Sequence, residues 1–488
     1  MRRSLLAAAL SITIALAGCT AGARPAGRPP ANPPANPPSV TGAGAGGSTP
    51  VADPIYPRRG TGSLDVLHYR LDLAWTPKTR ILRGTATLRI RPTADQAELR
   101  LDFMPYRLES VTVDGATRPG RVSAEKLVVP AALVKDRPVT LEVRYSGTPR
   151  TTPAPSKRSD IAPLGLTVTA DGGLWTMQEP FGAFTWYPVN DHPSDKALYD
   201  MAVDVPAGWS AVASGTPAGT TATTGGAGRE PGTTFRYRST DPVASYLTTL
   251  AVGRYRKETA TGPHGLPLTY WYRPGTDDQL VPVLRKSPQF IAWLEERFGP
   301  YPFPTAGVVV VPAFSAMETQ QMVTMGGGYD WSDSLDLFEI NLFHEYAHHW
   351  FGDTVTLSTW RDLWLNEGWA TYAQYLLRAE REKWTKAEVE KRLRSSDARH
   401  RAQHGPPGQP GANTFGSPNV YLCTAAMLHE LRDALGDAGF FALARDWVQQ
   451  NRNSQQDRAS FIAFVNKQTG RDFTQMINTW LDSRTTPR

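Results

Sequence analysis

Between residues 344 and 370 the chain reads HEYAHHWFGDTVTLSTWRDLWLNEGWA, and few stretches leave a fold so little freedom. His344 and His348 stand four apart in a run with helical patterning, so their imidazoles lie on one face, one turn apart. A third donor, Glu367, follows after 18 intervening residues. That gap fits a tight reversal at Gly352-Asp353 and a return helix carrying Asn366-Glu367-Gly368. Two imidazoles and a carboxylate suit a catalytic zinc, with a fourth position left for water. Glu345, next to the first histidine, is not a ligand in this reading. It stands where it can take a proton from a water attacking a carbonyl.

A chain of 488 residues exceeds one hydrophobic core, so two or three domains are expected. The formal charge of +6 is spread along the sequence. No basic run is interleaved with aromatics, which argues against nucleic acid as a partner.

The first 19 residues read as a bacterial lipoprotein signal. Arg2 and Arg3 precede an apolar run, Leu5 to Ala17, that is short for a bilayer span. It ends in Leu16-Ala17-Gly18-Cys19, which resembles a lipobox. Cleavage before Cys19 and acylation of its thiol would tether the protein outside the cytoplasmic membrane. The alternative is a plain secretory signal in which Cys19 is incidental. With Cys19 acylated only Cys423 remains, so no intramolecular disulfide can form. Cys423 itself sits in an apolar helical pattern and reads as buried and inert.

Residues 20–60 include PPANPPANPP and GAGAGG and read as a tether that builds no core. From Leu64 the pattern becomes alternating, as in His68-Tyr69-Arg70-Leu71-Asp72-Leu73, with turn residues between short runs. An antiparallel β domain is expected over 61–255, with the Thr/Gly-rich stretch 216–231 as a solvated hairpin loop. A mostly helical domain is expected over 256–488. Its expected elements are a helix over 282–298, a buried strand over 308–311 and the His344 helix starting near Ser334. Helices over 420–435, 440–451 and 459–469 follow. The fold class is thus α+β and multidomain.

Three other stretches could converge on the metal. Ser315-Ala316-Met317-Glu318-Thr319 follows the strand, and a bound peptide alongside it would bring its amino group to Glu318. Glu179 stands in an aromatic stretch with Trp175, Phe181, Trp186 and Tyr187, and a second carboxylate there would complete an amine subsite. His192, beside Pro193 in a turn, reads as structural. A tyrosine hydroxyl over the metal could stabilise an oxyanion, and Tyr421 and Tyr329 both qualify. Tyr346, Tyr372 and Tyr375 have helical positions that suit a core. Gly326-Gly327-Gly328 lacks the context of a phosphate loop and reads as a flexible border of the substrate groove.

The combination HEYAHHWFGD, LWLNEGWA and FTWYPVNDHPSDKA resembles the M1 family of zinc aminopeptidases, which are gluzincins, over residues 60 to 488. The resemblance implies a saddle-like β domain followed by a thermolysin-like catalytic domain, with one zinc per chain on His344, His348 and Glu367. It implies Glu345 as general base, Tyr421 as the oxyanion donor, and peptide substrates. It also implies an amino-terminus subsite containing Glu318 and Glu179, with Ala316 and Met317 on the same substrate-binding motif. There are departures. The family's GAMEN reads SAMET here, its FPC cysteine is Val189, and Cys423 stands where a base is typical. No long helical stretch of the kind that closes the cavity in larger members follows Trp480-Leu481, so a more open site is expected. The expected activity is therefore zinc-dependent removal of N-terminal residues from peptides outside the membrane. The alternatives are an endopeptidase on the same scaffold and a surface-binding lipoprotein without catalysis. Oligomeric state and the preferred first residue are not legible.

Overall fold

A computed structural model describes residues 48–487 apart from 157, 159, 162 and 226–229. The signal segment with Cys19, and the tether through residue 47, lie outside the described residues. The last part of the expected tether does not behave as one. Ser48, Asp53 and Tyr56 are buried, and the Tyr56 ring packs edge-on against Phe181 at 5.1 Å. Asp53 accepts the backbone N–H of Tyr56 at 2.7 Å and that of Trp360 at 2.8 Å, so this segment clasps both halves of the protein. Low complexity ends at Gly47, and an aspartate and a tyrosine give the chain something to bury.

The first half is built on a nine-stranded sheet centred on Leu64–Thr76 and Ile81–Pro92. Its pairings are antiparallel except for Leu64–Thr76 against Lys196–Pro206, which run parallel in register His68 to Leu198. Along Leu64–Thr76 the inward residues Leu64, Val66, Tyr69, Leu71, Leu73 and Trp75 are all buried, as the alternation requires. A four-stranded and a three-stranded sheet complete this half. The stretch expected as a hairpin loop is instead partly strand. Thr216–Thr223 pairs with Gly232–Arg238 at the sheet edge. Its β-branched threonines favour extended backbone, and exposure of most of the strand hid the alternation.

The second half opens with a four-stranded mixed sheet, Arg256–Thr261, Pro267–Tyr272, Ala306–Val311 and Val323–Gly326. The strand Ala306–Val311 is buried throughout because it lies between two cores. Val309 and Val311 pack with the β half, while Val308 and Val310 pack with the helices. Burying each valine is worth about 1.5–3 kcal/mol, which seats this strand firmly beneath the loop that carries Glu318.

The α-helices among the described residues are Val281–Leu284, Ser287–Phe298, Leu335–His348, Trp364–Glu382, Lys386–His404, Pro418–Gln450, Arg458–Thr469 and Thr474–Asp482, so the helix expected over 282–298 is divided in two. Ser334 holds the capping position of the His344 helix, but its side chain makes no capping bond. Pro418–Gln450 is interrupted at Gly436, where φ is 70°, close to the break expected between two helices. Lys386–His404 was hidden by its polar surface; a capping box at Thr385 and Glu388 starts it, and the buried Asp397–Arg401 ion pair anchors it.

Candidate active site

His344, Glu345 and His348 occupy the last turns of the helix Leu335–His348, whose buried Phe338, Leu342, Phe343, Tyr346 and Ala347 hold it in the core. The helix ends in the foreseen reversal. Gly352 has φ 144°, and a side chain there would press on His348 at 3.3 Å. The chain returns through Val355–Leu357 to the helix Trp364–Glu382, which brings Glu367 back to both histidines. Gly368 is required by packing, since a Cβ there would fall 2.6 Å from the Thr424 hydroxyl. That contact presses the Glu367 helix against the helix that carries Tyr421.

The three donor atoms form a near-equilateral triangle. His344 Nε2 and His348 Nε2 are 3.0 Å apart, and Glu367 Oε2 lies 3.2 Å from the first and 3.3 Å from the second. A tetrahedral zinc with bonds of about 2.0–2.1 Å sets its donor atoms about 3.3 Å apart. His348 Nδ1 donates to the Phe351 carbonyl at 3.1 Å, which leaves the Nε2 lone pair directed into the triangle. The residues therefore fit the ion.

These side chains open into a cleft of about 280 Å³ that also exposes Glu345, Tyr421, Glu318, Glu179 and Ala316. Tyr421 sits with its ring 6.2 Å from that of His344. Of the tyrosines, Tyr329 is 46% exposed and packs on Phe314 and Trp331 without itself lining the cleft. Tyr346 is fully buried, Tyr372 shares a hydrogen bond with His429, and Tyr375 lines a different surface groove.

Past a bend at Ser315, the segment through Glu318 makes a β-bridge between Met317 and Thr324. Ala316 and Glu318 face the cleft, and Met317 turns into the β-half core at 2% exposure. Met317 N–H and C=O are both bonded to Thr324, so neither its side chain nor its N–H is offered to a ligand. Its expected place among the substrate-binding residues therefore does not rest on its side chain. Thr319, in the position of the family's asparagine, spends its hydroxyl on the Met322 carbonyl. Gly326 does line the cleft, but the backbone N–H groups of Gly327 and Gly328 are bonded to Val311 and Ala313. The expected flexible border is thus tied down.

Glu179 comes from the β half, just after the strand Leu174–Met177. Its neighbours are fixed from below. Gln178 donates to the carbonyls of Ser245 and Thr248 at 2.9 and 2.7 Å and accepts the Trp186 indole N–H at 2.9 Å. Asp191 accepts the backbone N–H groups of Gly182 at 2.9 Å and Phe184 at 3.3 Å. Trp186 and Tyr187 are core residues rather than cleft walls. Lys196, in the same sequence motif, donates to the carbonyl of Asp353 at 2.7 Å, which ties the β half to the turn behind His348. Burial pushes its pKa down to about 7. His192 is buried between Ser194 and Asp53, with no route to the metal. Cys423 is fully buried, and burial raises its thiol pKa.

Glu179 and Glu318 are the electrostatic anomaly of the cleft. Each has a buried Oε1 with no hydrogen-bond partner among the described residues. Burial, and then the charge of Glu318, hold the Glu179 carboxyl well above the usual carboxylate range. Burial likewise raises Glu318. Two residues that sequence reasoning missed also reach the cleft. Arg158 and Asp160 lie on a Pro/Ser-rich loop of the β half that carries no sequence signal.

A two-histidine, one-glutamate metal triangle beneath an acid-lined cleft between a β half and a helical half is the architecture of a metallopeptidase. Residues 283–480 match the Peptidase family M1 domain, and residues 66–247 match the Peptidase M1 N-terminal domain. The chain belongs to peptidase family M1, whose members are zinc metallopeptidases. It is similar to the M1 zinc metallopeptidase from Deinococcus radiodurans, at TM-score 0.79 and 29% identity, over 89% of this chain and 98% of that one. A mutant of that protein bound to a Tyr-Ser-Ala substrate matches at TM-score 0.78 and 28% identity, with the same coverage. Among curated relatives, Aminopeptidase N of Streptomyces lividans is 23% identical over 86% of this chain and 50% of its own length. The chain thus spans half the length of that relative.

Proposed function

We propose that the protein is a zinc-dependent aminopeptidase that hydrolyses the first peptide bond of peptides, with one zinc per chain on His344, His348 and Glu367. The observation that carries this reading is the pair of buried carboxylates, Glu179 and Glu318, beside the metal triangle with unpartnered oxygens. Two like charges in one low-dielectric pocket call for a cation, and the ammonium of a peptide's first residue supplies one. Held there, the peptide presents its first carbonyl to the triangle. A preceding residue would turn that ammonium into a neutral amide and leave the two acids without their cation.

Zinc held by His344, His348 and Glu367 would supply Lewis acidity and lower the pKa of a water in the cleft. Glu345, buried at the cleft floor, accepts the proton of the attacking water and passes it to the departing amine. The Tyr421 hydroxyl donates to the oxygen of the carbonyl as it becomes tetrahedral. Glu179 and Glu318 keep the ammonium fixed throughout, so their binding energy aligns the reacting groups.

Matched peptides with free and acetylated N-termini test the reading. Chelator-sensitive, zinc-restored cleavage confined to the free-amine set supports it. Equal cleavage of both sets favours an endopeptidase, and zinc binding with no cleavage of either favours a surface-binding protein. Glu318→Gln and Glu179→Gln give a finer check. Each removes a charge-assisted contact worth about 1.5–3 kcal/mol, so KM for free-amine substrates should rise roughly 10- to 100-fold. An unchanged KM in both variants would remove the amine subsite.

We further propose that the mature chain is anchored outside the cell membrane through acylated Cys19, with secretion as the alternative. The support is the sequence Leu16-Ala17-Gly18-Cys19 after a short basic and apolar run. Among the described residues no helix is long and apolar enough to cross a membrane. Cys19→Ser should shift the protein from the membrane fraction to the medium or leave it unprocessed. A variant fractionating and processed like the wild type would contradict the anchor.

A further inference from the structure

The Tyr421 hydroxyl is held from the opposite half of the protein. Arg158 Nη1 donates to Tyr421 Oη at 3.2 Å, across 263 residues of sequence. One edge of the guanidinium is committed to Asp160. Nε and Nη2 donate to the two carboxylate oxygens of Asp160 at 3.2 and 2.5 Å, and Nη1 also approaches the Gly416 carbonyl at 3.4 Å. Asp160 in turn accepts from the Ser315 hydroxyl at 3.4 Å, which ties the arrangement to the Glu318 segment. Gly416 has φ 66°, and a Cβ there would lie 2.8 Å from Arg158 Nη1, so only glycine leaves the guanidinium its place.

An arginine in a peptidase cleft could instead capture a substrate carboxylate. The geometry favours the tyrosine, because one of the two forks of the guanidinium already holds Asp160 bidentately and Nη1 of the other is engaged by the Tyr421 oxygen. Nη1 has the phenol oxygen as its nearer acceptor.

We propose that Arg158 is a positioning residue for Tyr421, aiming and polarising its hydroxyl for donation to the oxyanion. A phenol hydroxyl prefers two in-plane orientations. A cationic donor on one side of the oxygen drives the proton to the other, toward the cleft. The same donor draws electron density from the O–H bond and strengthens it as a donor, since hydrogen bonds in a chain polarise one another. The inference rests on the aminopeptidase reading for what Tyr421 does, while the Arg158–Tyr421 contact stands independently.

The test is a double-mutant cycle of Arg158→Ala and Tyr421→Phe in the zinc-loaded full chain, with Arg158→Lys as the charge-retaining control. It is read both by turnover of a free-amine peptide and by calorimetric binding of a phosphinic pseudodipeptide, whose tetrahedral centre mimics the oxyanion. Arg158→Ala should lower kcat on the order of ten-fold with KM nearly unchanged, and weaken the phosphinic compound by a similar factor. In the Tyr421→Phe background the same substitution should change either readout by less than about two-fold, because the group it acts through is gone. Arg158→Lys should recover part of the loss. A full ten-fold effect persisting in the Tyr421→Phe background, a loss confined to KM, or no loss at all would overturn the proposal. Zinc content and thermal midpoint identify a variant that merely misfolds, and the lysine variant then carries the cycle. If the wild type binds the phosphinic compound but cleaves nothing, the aminopeptidase reading falls and the binding cycle still decides on Arg158.

Discussion

Glu345→Gln keeps its zinc and loses turnover by about 10³-fold, within the range that a positioned general base contributes. The two halves of that expectation have separate origins. Zinc is retained because the donor triangle, with edges of 3.0 to 3.3 Å, is made by His344, His348 and Glu367 and does not include Glu345. Turnover is lost because an amide cannot accept the proton of the attacking water, and the helix offers no replacement at that point. Glu318 shares the cleft, with a carboxylate oxygen within 4.8 Å of one on Glu345, but it is assigned to the ammonium. Folding should be unimpaired. Glu345 is 8% exposed, and a buried carboxylate costs desolvation that a neutral amide of the same shape avoids. Stoichiometric metal analysis together with kcat on a free-amine peptide checks both halves. A variant within ten-fold of wild type would remove Glu345 from the mechanism.

Glu367→Gln is expected to lose the metal itself. Glu367 supplies the only negative charge in the triangle, and without it two neutral imidazoles face the ion alone. Changes to the groups that merely support ligands cost roughly 10–100-fold in affinity, and loss of a ligand charge should cost at least about 100-fold. Stability follows the metal. A ligand at about 100 times its dissociation constant adds about 2.7 kcal/mol to the folded state. Zinc should therefore raise the thermal midpoint of the wild type and leave that of the variant in place at the same concentration. The empty variant should still fold, because Glu367 rides on a helix fixed by Trp364, Trp369, Tyr372 and Ala373, all of them buried. Equal zinc-induced stabilisation in the two proteins would place the metal elsewhere.

What the sequence made legible depends on how local the physics was. The His344–His348 spacing is a property of one helix, and the reversal to Glu367 needs only Gly352 and the next helix, so the metal triangle could be read directly. The alternating strands of the β half were legible for the same reason, since each buried face is written in steps of two. That rule also applied to Ser315–Glu318, where it sends Ala316 and Glu318 one way and Met317 the other. Thr216–Thr223 was not legible, because a mostly exposed edge strand has no buried face to betray it. The choice between Tyr421 and Tyr329 needed tertiary structure, and so did Arg158. Its partner lies 263 residues away, and its own loop has neither periodicity nor motif. The clasp made by Asp53 and Tyr56 was masked by the low-complexity run that precedes it.

The central claim is that the metal triangle and the paired acids together make an enzyme that removes residues singly from the amino end. Time-resolved mass spectrometry of a ten-residue peptide incubated with zinc-loaded residues 20–488 tests it most directly. The account predicts a ladder in which the nine-residue product appears first, each later product is shorter by one residue at the amino end, and an acetylated copy of the peptide stays intact. Internal fragments appearing from the earliest time points, or cleavage of the acetylated copy at the same rate, would contradict it.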